Sequence, residues 1–260
     1  MDNIPTSQEL FDVSGKVAIV TGATGAFGAA AAMGLAKAGA KVMCTGRKAE
    51  TLAPLVKTIT DAGYEAMFEA GDPVSHDDNK RIVAKTVAAY GGVDIVVTAA
   101  GVNKVGAIID QPVEDWEMVM DVNVKGTWLM LKEAGKVMVE QGRGGKAIIV
   151  SSARSTLGMA NYTAYSPSKA ATDLITKSLG CEWGPYNINV NAIAPTVFRS
   201  PLTQWMFEDD AFYKNFLKRI PIGRLGEPED FIGSILFLSS KASDFMTGAI
   251  LAVDGGYTAG

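Results

Sequence analysis

The chain has 260 residues, 48% of them hydrophobic, and 24 Lys and Arg against 28 Asp and Glu give a formal net charge of −4. That hydrophobic share excludes a disordered chain, and the length suits a large α/β domain with a substantial core. The mild acidity without any concentration of Lys and Arg excludes a nucleic-acid or anionic-membrane surface, and the polar start with short, broken apolar runs excludes a signal peptide and a membrane span.

Residues 16–21 (KVAIVT) are rich in β-branched side chains and predict a strand, followed by an Ala-rich helix at 26–38. A strand at 41–45, a helix at 48–62 ended by Gly63, a strand at 65–70, a helix at 75–90 and a strand at 93–98 follow. Cys44 falls in a strand-like run and Cys181 in a helix-like one, and both read as buried free thiols, which suits a reducing cytosol. His76 is the sole histidine, beside Asp77 and Asp78. Without Cys or His neighbours it reads as a surface residue, and no metal is expected.

The second half predicts a helix over 113–141 with a break near Asn123, a turn at 142–145, a strand at 146–151 and a long helix at 162–183. A strand at 188–193, a helix at 227–240 and a strand at 250–253 complete the series. The strands lack polar/apolar alternation, as expected when helices cover both faces of a parallel sheet. Repeated strand–helix units with right-handed crossovers predict a Rossmann-type, doubly wound α/β fold of about seven strands. With no linker, residues 1–260 read as a single domain. Residues 196–226 stand apart, with Phe198, Trp205, Phe207, Phe212, Tyr213, Phe216 and the acidic run Glu208-Asp209-Asp210. The stretch is long for a connection and follows a strand's carboxyl end, where ligands bind, so it predicts a helical substrate lid. The alternative is a surface helical pair with a solvated acidic face.

Thr21-Gly22-Ala23-Thr24-Gly25-Ala26-Phe27-Gly28 joins the first strand to the first long helix. Gly22 permits a tight turn, Gly25 lets the backbone approach a pyrophosphate, and Gly28 lets helix and strand pack closely. The helix amino terminus adds unpaired N–H groups and a positive dipole end. At the end of the second strand stands Thr45-Gly46-Arg47-Lys48, with no carboxylate to bind a ribose 2′-hydroxyl. Arg47 and Lys48 would attract a 2′-phosphate, so NADP(H) is preferred, with NAD(H) as the alternative.

Tyr165 and Lys169, four apart in Tyr165-Ser166-Pro167-Ser168-Lys169, share one face of a predicted helix. An ordinary phenol has a pKa of about 10; a nearby ammonium supplying roughly 4 kcal/mol of differential interaction would bring it near working pH. Ser151-Ser152 ends the preceding strand, where a hydroxyl could stabilise charge on a substrate oxygen. Asn123, a poor mid-helix residue, would hold a local kink or a water.

In order, Gly22…Gly28, Asp72, Ala100-Gly101, Asn123, Ser152, Tyr165-x-x-x-Lys169, Asn191…Pro195 and Val253-Asp254-Gly255-Gly256 resemble the single-domain branch of the short-chain dehydrogenase/reductase family. The resemblance implies a catalytic tetrad: Tyr165 as general acid/base, Ser152 polarising the carbonyl, Lys169 lowering the phenol's pKa and holding the nicotinamide ribose, and Asn123 positioning a water. It implies adenine contact by Asp72 and further cofactor contacts by Thr24, Phe27, Pro73, Ala100, Gly101, Pro195, Val197 and Ser200. It also implies a cytoplasmic homotetramer. The chain departs from the family at Ala26, at Thr98-Ala99 and at Thr196, which bears on cofactor affinity and leaves the tetrad intact. Ser152-x-x-Ser155-x-Leu157-Gly158, the 208–212 stretch and 237–245 are similar to the gluconate 5-dehydrogenase branch. That likeness implies sugar acids or polyols as small-molecule substrates, with Arg154, Phe198, Trp205 and Met206 as candidate contacts. The alternatives are a 3-oxoacyl-thioester or general carbonyl reductase and a non-enzymatic NADP(H)-binding redox sensor.

Overall fold

The computed structural model describes residues 4–199 and 210–260. A short helix, α1 (Ser7–Phe11), precedes seven strands: β1 (Val17–Thr21), β2 (Lys41–Gly46), β3 (Ala66–Ala70), β4 (Ile95–Thr98), β5 (Gly145–Val150), β6 (Ile188–Pro195) and β7 (Ile250–Val253). They form one sheet in the order β3-β2-β1-β4-β5-β6-β7, and every pairing is parallel. The connections are α2 (Ala26–Lys37), α3 (Ala49–Asp61), α4 (His76–Tyr90), α5 (Val113–Met120), α6 (Gly126–Gln141), α7 (Tyr165–Trp183), α8 (Asp210–Leu217) and α9 (Pro228–Ser239). The strand order reverses between β1 and β4, which opens a crevice at their carboxyl ends.

Both faces of the sheet are buried, and the strand residues alternate between two apolar clusters. Ala18, Val20, Val42, Cys44 and Val97 join Leu35, Leu52 and Phe231 on one side. Ile19, Met43, Val96 and Ile149 join Ile82, Met130, Met138 and Trp183 on the other. Each β1 residue is therefore buried whichever way it points, which is why the sequence shows no alternation.

The break near Asn123 is a π-helical turn, Asp121–Lys125, between α5 and α6. The catalytic-side helix starts at Tyr165 rather than at 162, and Pro167 falls in its first turn, where a missing N–H costs nothing. Cys44 is buried, and burial pushes its thiol up to about 12. Cys181 corrects the expectation of two buried thiols: it is exposed, on a turn of α7 that faces away from the core. His76 is half-buried rather than a plain surface residue, with Nε2 2.7 Å from Glu133 Oε1. No cluster of metal-ligating side chains occurs among the described residues.

Candidate active site

Three consecutive residues at the end of β5 meet three residues spaced four apart on α7. The Val150 carbonyl accepts a hydrogen bond from Lys169 Nζ at 2.8 Å. The Ser151 hydroxyl donates to Asp173 Oδ1 at 2.5 Å. The Ser152 hydroxyl acts on the Tyr165 phenol, favouring its ionised form. Residues 165, 169 and 173 share one helix face because their spacing nearly matches the helical repeat, so one strand end fixes the register of the whole face.

Burial, the largest influence, raises the Tyr165 phenol above its ordinary value. Ser152 opposes it by hydrogen bonding, Tyr162 adds to the rise, and the Arg154 charge opposes it. Burial likewise lowers Lys169 to about 8, against the pull of Asp173. The expectation that Lys169 makes this phenol acidic is therefore not met in the protein alone. The amine sits 5.7 Å from the centre of the Tyr165 ring, bonded to a main-chain carbonyl, and burial loosens its own proton.

Asn123 is buried on the π-helical turn. Its Oδ1 accepts from Val102 N (2.8 Å), and its Nδ2 donates to Val102 O (3.0 Å) and Ser168 Oγ (2.9 Å). The expected kink is present, and the side chain it frees clamps the loop after β4 to α7. A Cβ on Gly101 in that loop would come within 3.4 Å of Asn123 Oδ1 and 3.6 Å of Lys169 Nζ.

A cleft runs from Gly101 along the carboxyl ends of β4, β1 and β2. Gly22, Thr24, Gly25, Arg47, Pro73, Ala100 and Gly101 line it, as expected. The cradle suits a dinucleotide. Gly22 has φ +60°, and a Cβ there would lie 2.6 Å from Ala100 Cα; a Cβ on Gly28 would lie 2.1 Å from the Gly22 carbonyl oxygen. Helix α2 opens at Gly25 with no side-chain cap, leaving its first N–H groups for an anion.

Other assignments need correction. Phe27 faces away from the cleft into a ring cluster, 5.0 Å from Phe198 and 4.8 Å from Phe231 between ring centres. Phe198 is 5% exposed in that cluster and lines a second cavity with Gly226 and Val253 instead of the cleft. Gly28 packs beneath Gly22, as its expected role in close helix–strand packing requires, and does not line the cleft. Asp72 turns its carboxylate back to accept from Val74 N at 3.0 Å, and Lys48 stands at the N-cap of α3; neither lines the cleft. Pro195 is buried at the end of β6, and Val197 packs with Ala153, Ile220 and Tyr257. Ser200, Trp205 and Met206 fall in residues 200–209, the part of the expected lid that lies outside the described residues; α8 and a turn at 218–226 complete the stretch.

Sequence reasoning missed Thr21, Asn79, Val102 and Val122. Thr21 Oγ1 accepts from Ala99 N and Ala100 N, tying β1 to the loop after β4. Asn79 donates to the Pro73 and Ser75 carbonyls. No spacing marks such residues, because each reaches the cleft from a different element. Arg154, by contrast, is half-buried near Tyr165, as its place two residues after Ser152 suggested.

A family model described as enoyl-(acyl carrier protein) reductase matches residues 22–258. An uncharacterized oxidoreductase of Mycobacterium tuberculosis is 47% identical over 255 residues, covering 96% of this chain and 93% of its own. The 2-dehydro-3-deoxy-D-gluconate 5-dehydrogenase of Dickeya dadantii is 36% identical over 249 residues, covering 96% of this chain and 98% of its own. The crystal structure of a gluconate 5-dehydrogenase from Burkholderia cenocepacia in complex with NADP and tartrate superposes with a TM-score of 0.93 at 31% identity, covering 98% of this chain and all of the other.

Proposed function

Because the chain belongs to the short-chain dehydrogenase/reductase family and is an oxidoreductase working with a nicotinamide cofactor, we propose that it interconverts a secondary alcohol and a ketone on a sugar acid or related polyol, with NADP(H) preferred and Asn123, Ser152, Tyr165 and Lys169 carrying the reaction. The observation that carries this reading is Gly101, which lines the dinucleotide cleft at a point where an added Cβ would meet both Asn123 Oδ1 and Lys169 Nζ.

Bound in the cleft, the nicotinamide supplies the two-electron donor or acceptor for the reacting carbon. Tyr165 gives a proton to the substrate oxygen in reduction and takes it back in oxidation. Ser152 donates a hydrogen bond where negative charge develops on that oxygen. Lys169 provides a cation at the junction of cleft and phenol. Asn123, whose amide bonds Val102 N, Val102 O and Ser168 Oγ, holds the loop after β4 against α7. Arg47 supports the NADP(H) preference: it lines the cleft at the end of β2, is exposed, and joins no ion pair among the described residues.

Sugar acids are favoured by relatives named for gluconate and its derivatives at 31–36% identity. The same reading makes the protein a cytoplasmic homotetramer. No helix among the described residues is long and apolar enough to cross a membrane. The test is a panel of keto sugar acids, ketoses, 3-oxoacyl thioesters and cyclic ketones, each with NADPH and NADH. NADPH-dependent reduction of a keto sugar acid is expected. Dinucleotide binding without turnover of any substrate would favour a redox sensor and overturn the reading. In the same assay Arg47→Asp should move the NADPH/NADH preference toward NADH by about tenfold or more; an unchanged ratio removes the basis for the NADP(H) preference.

A further inference from the structure

Two arginines from distant parts of the chain gather about one buried tyrosine, Tyr257. Arg154 Nη2 donates to the Tyr257 hydroxyl at 2.5 Å, and its guanidinium carbon lies 5.3 Å from the Tyr257 ring centre. The Arg219 guanidinium carbon lies 4.7 Å from the same ring. Phe216 stacks on that ring as well, and Tyr257 itself is buried. Arg154 also lies 5.9 Å from the Tyr162 ring centre, and Tyr162 meets Tyr165 edge to face. Its charge reaches the Tyr165 phenol directly.

Most arginines on this molecule answer a carboxylate: Arg81 with Glu69 and Asp78, Arg143 with Asp94, Arg199 with Glu227 and Arg224 with Asp230. Arg154 and Arg219 form no ion pair among the described residues. Two guanidinium groups at one ring without a carboxylate concentrate positive charge there, which an anion would offset. Arg154 spends one of its five N–H donors on Tyr257, which leaves a planar fork for a carboxylate. The hydrogen bond to Tyr257 holds the Arg154 side chain in place, so less freedom is lost on binding.

We propose that Arg154 and Arg219, gathered about Tyr257, bind the carboxylate of the substrate and make this chain selective for hydroxy and keto acids over uncharged polyols and ketones. A carboxylate a few carbons from the reacting carbon would sit at the arginines while its carbonyl meets Ser152 and Tyr165. This inference rests on the reading of the Tyr165 site as an alcohol/ketone oxidoreductase and adds the group by which its substrate is selected.

The test compares a keto sugar acid with the uncharged ketose of the same length, in the wild-type chain and in Arg154→Gln, Arg154→Lys and Arg219→Gln. Each Gln variant should lower kcat/KM for the acid relative to the ketose by about tenfold or more, with the loss mainly in KM; Arg154→Lys should recover part of it. Thermal protection by the hydroxy acid in the presence of NADPH is read in parallel and should weaken in the Gln variants. An unchanged acid-to-ketose ratio together with unchanged protection overturns the proposal. Failure of the wild-type chain to turn over any substrate counts against the oxidoreductase reading instead, while the protection measurement still decides whether the arginines hold a carboxylate. Arg219 is exposed, so a kinetic loss in Arg219→Gln at unchanged Tm cannot be assigned to misfolding.

Discussion

A phenol held above its ordinary pKa by burial carries its proton at neutral pH, and this gives Tyr165 a direction. In the cofactor-free protein it is poised to donate, which serves ketone reduction. Alcohol oxidation needs the phenolate, so its rate should rise with pH into the alkaline range while reduction falls there. Flat oxidation rates from neutral to alkaline pH would contradict this. Asp173 acts one turn further on: its charge raises the Lys169 pKa that burial has lowered to about 8. Asp173→Asn can still accept from Ser151 but removes the charge, so Lys169 should lose its proton at lower pH. The alkaline limb of kcat/KM should move to lower pH by a measurable fraction of a unit; superimposable profiles would exclude that role. At this scale the four proposed site residues were legible from their surroundings: Tyr165 and Lys169 share a one-turn spacing, Ser152 follows a strand and Asn123 interrupts a helix. Asp173, Arg219 and Tyr257 were not, since their significance comes from the strand end and the rings they meet. The sign of the Tyr165 shift also required burial to be known.

The element that matters most is the opening of α2. Its glycines are fixed by close approach: Gly28 has no room for a Cβ beneath the Gly22 carbonyl, and Gly22 adopts a left-handed φ against Ala100. Gly28→Ala should therefore push the phosphate loop out of place. A loss of about 1–3 kcal/mol in stability is expected, together with loss of the rise in Tm that NADPH should give the wild-type chain. A retained NADPH-induced shift would show that the loop tolerates the methyl group. Element boundaries were readable where residue chemistry marks them. Asn123 announced the break that became the π-helical turn, and β-branched runs announced the strands. The start of α7 was misplaced by three residues, since nothing in Tyr162-Thr163-Ala164 marks a turn rather than a helix. Phe27 and Phe198 were assigned to ligands because aromatics beside a predicted cleft look the same whether they face it or the core.

For the whole molecule, the parallel order and the two-sided core were legible from the alternation of elements and the uniformly apolar strands. The proposed homotetramer would use the outer helices. Val113, Trp116 and Met118 on α5, Trp128 on α6 and Leu174 on α7 are exposed, with Val113 at 66% and Leu174 at 65%. Such a spread of large apolar side chains over adjoining helices fits a buried interface between copies. Sedimentation should give a tetramer, and Trp116→Glu with Trp128→Glu should yield smaller species with a concentration-dependent Tm; a monomeric wild-type chain would contradict the tetramer.

The account turns on proton transfer by Tyr165 at the edge of a dinucleotide cleft, and the most direct measurement is turnover by Tyr165→Phe beside its affinity for NADPH. The account predicts a fall in kcat of about 10²-fold or more, with the dissociation constant for NADPH changed by less than about threefold. Turnover close to that of the wild-type chain would contradict it.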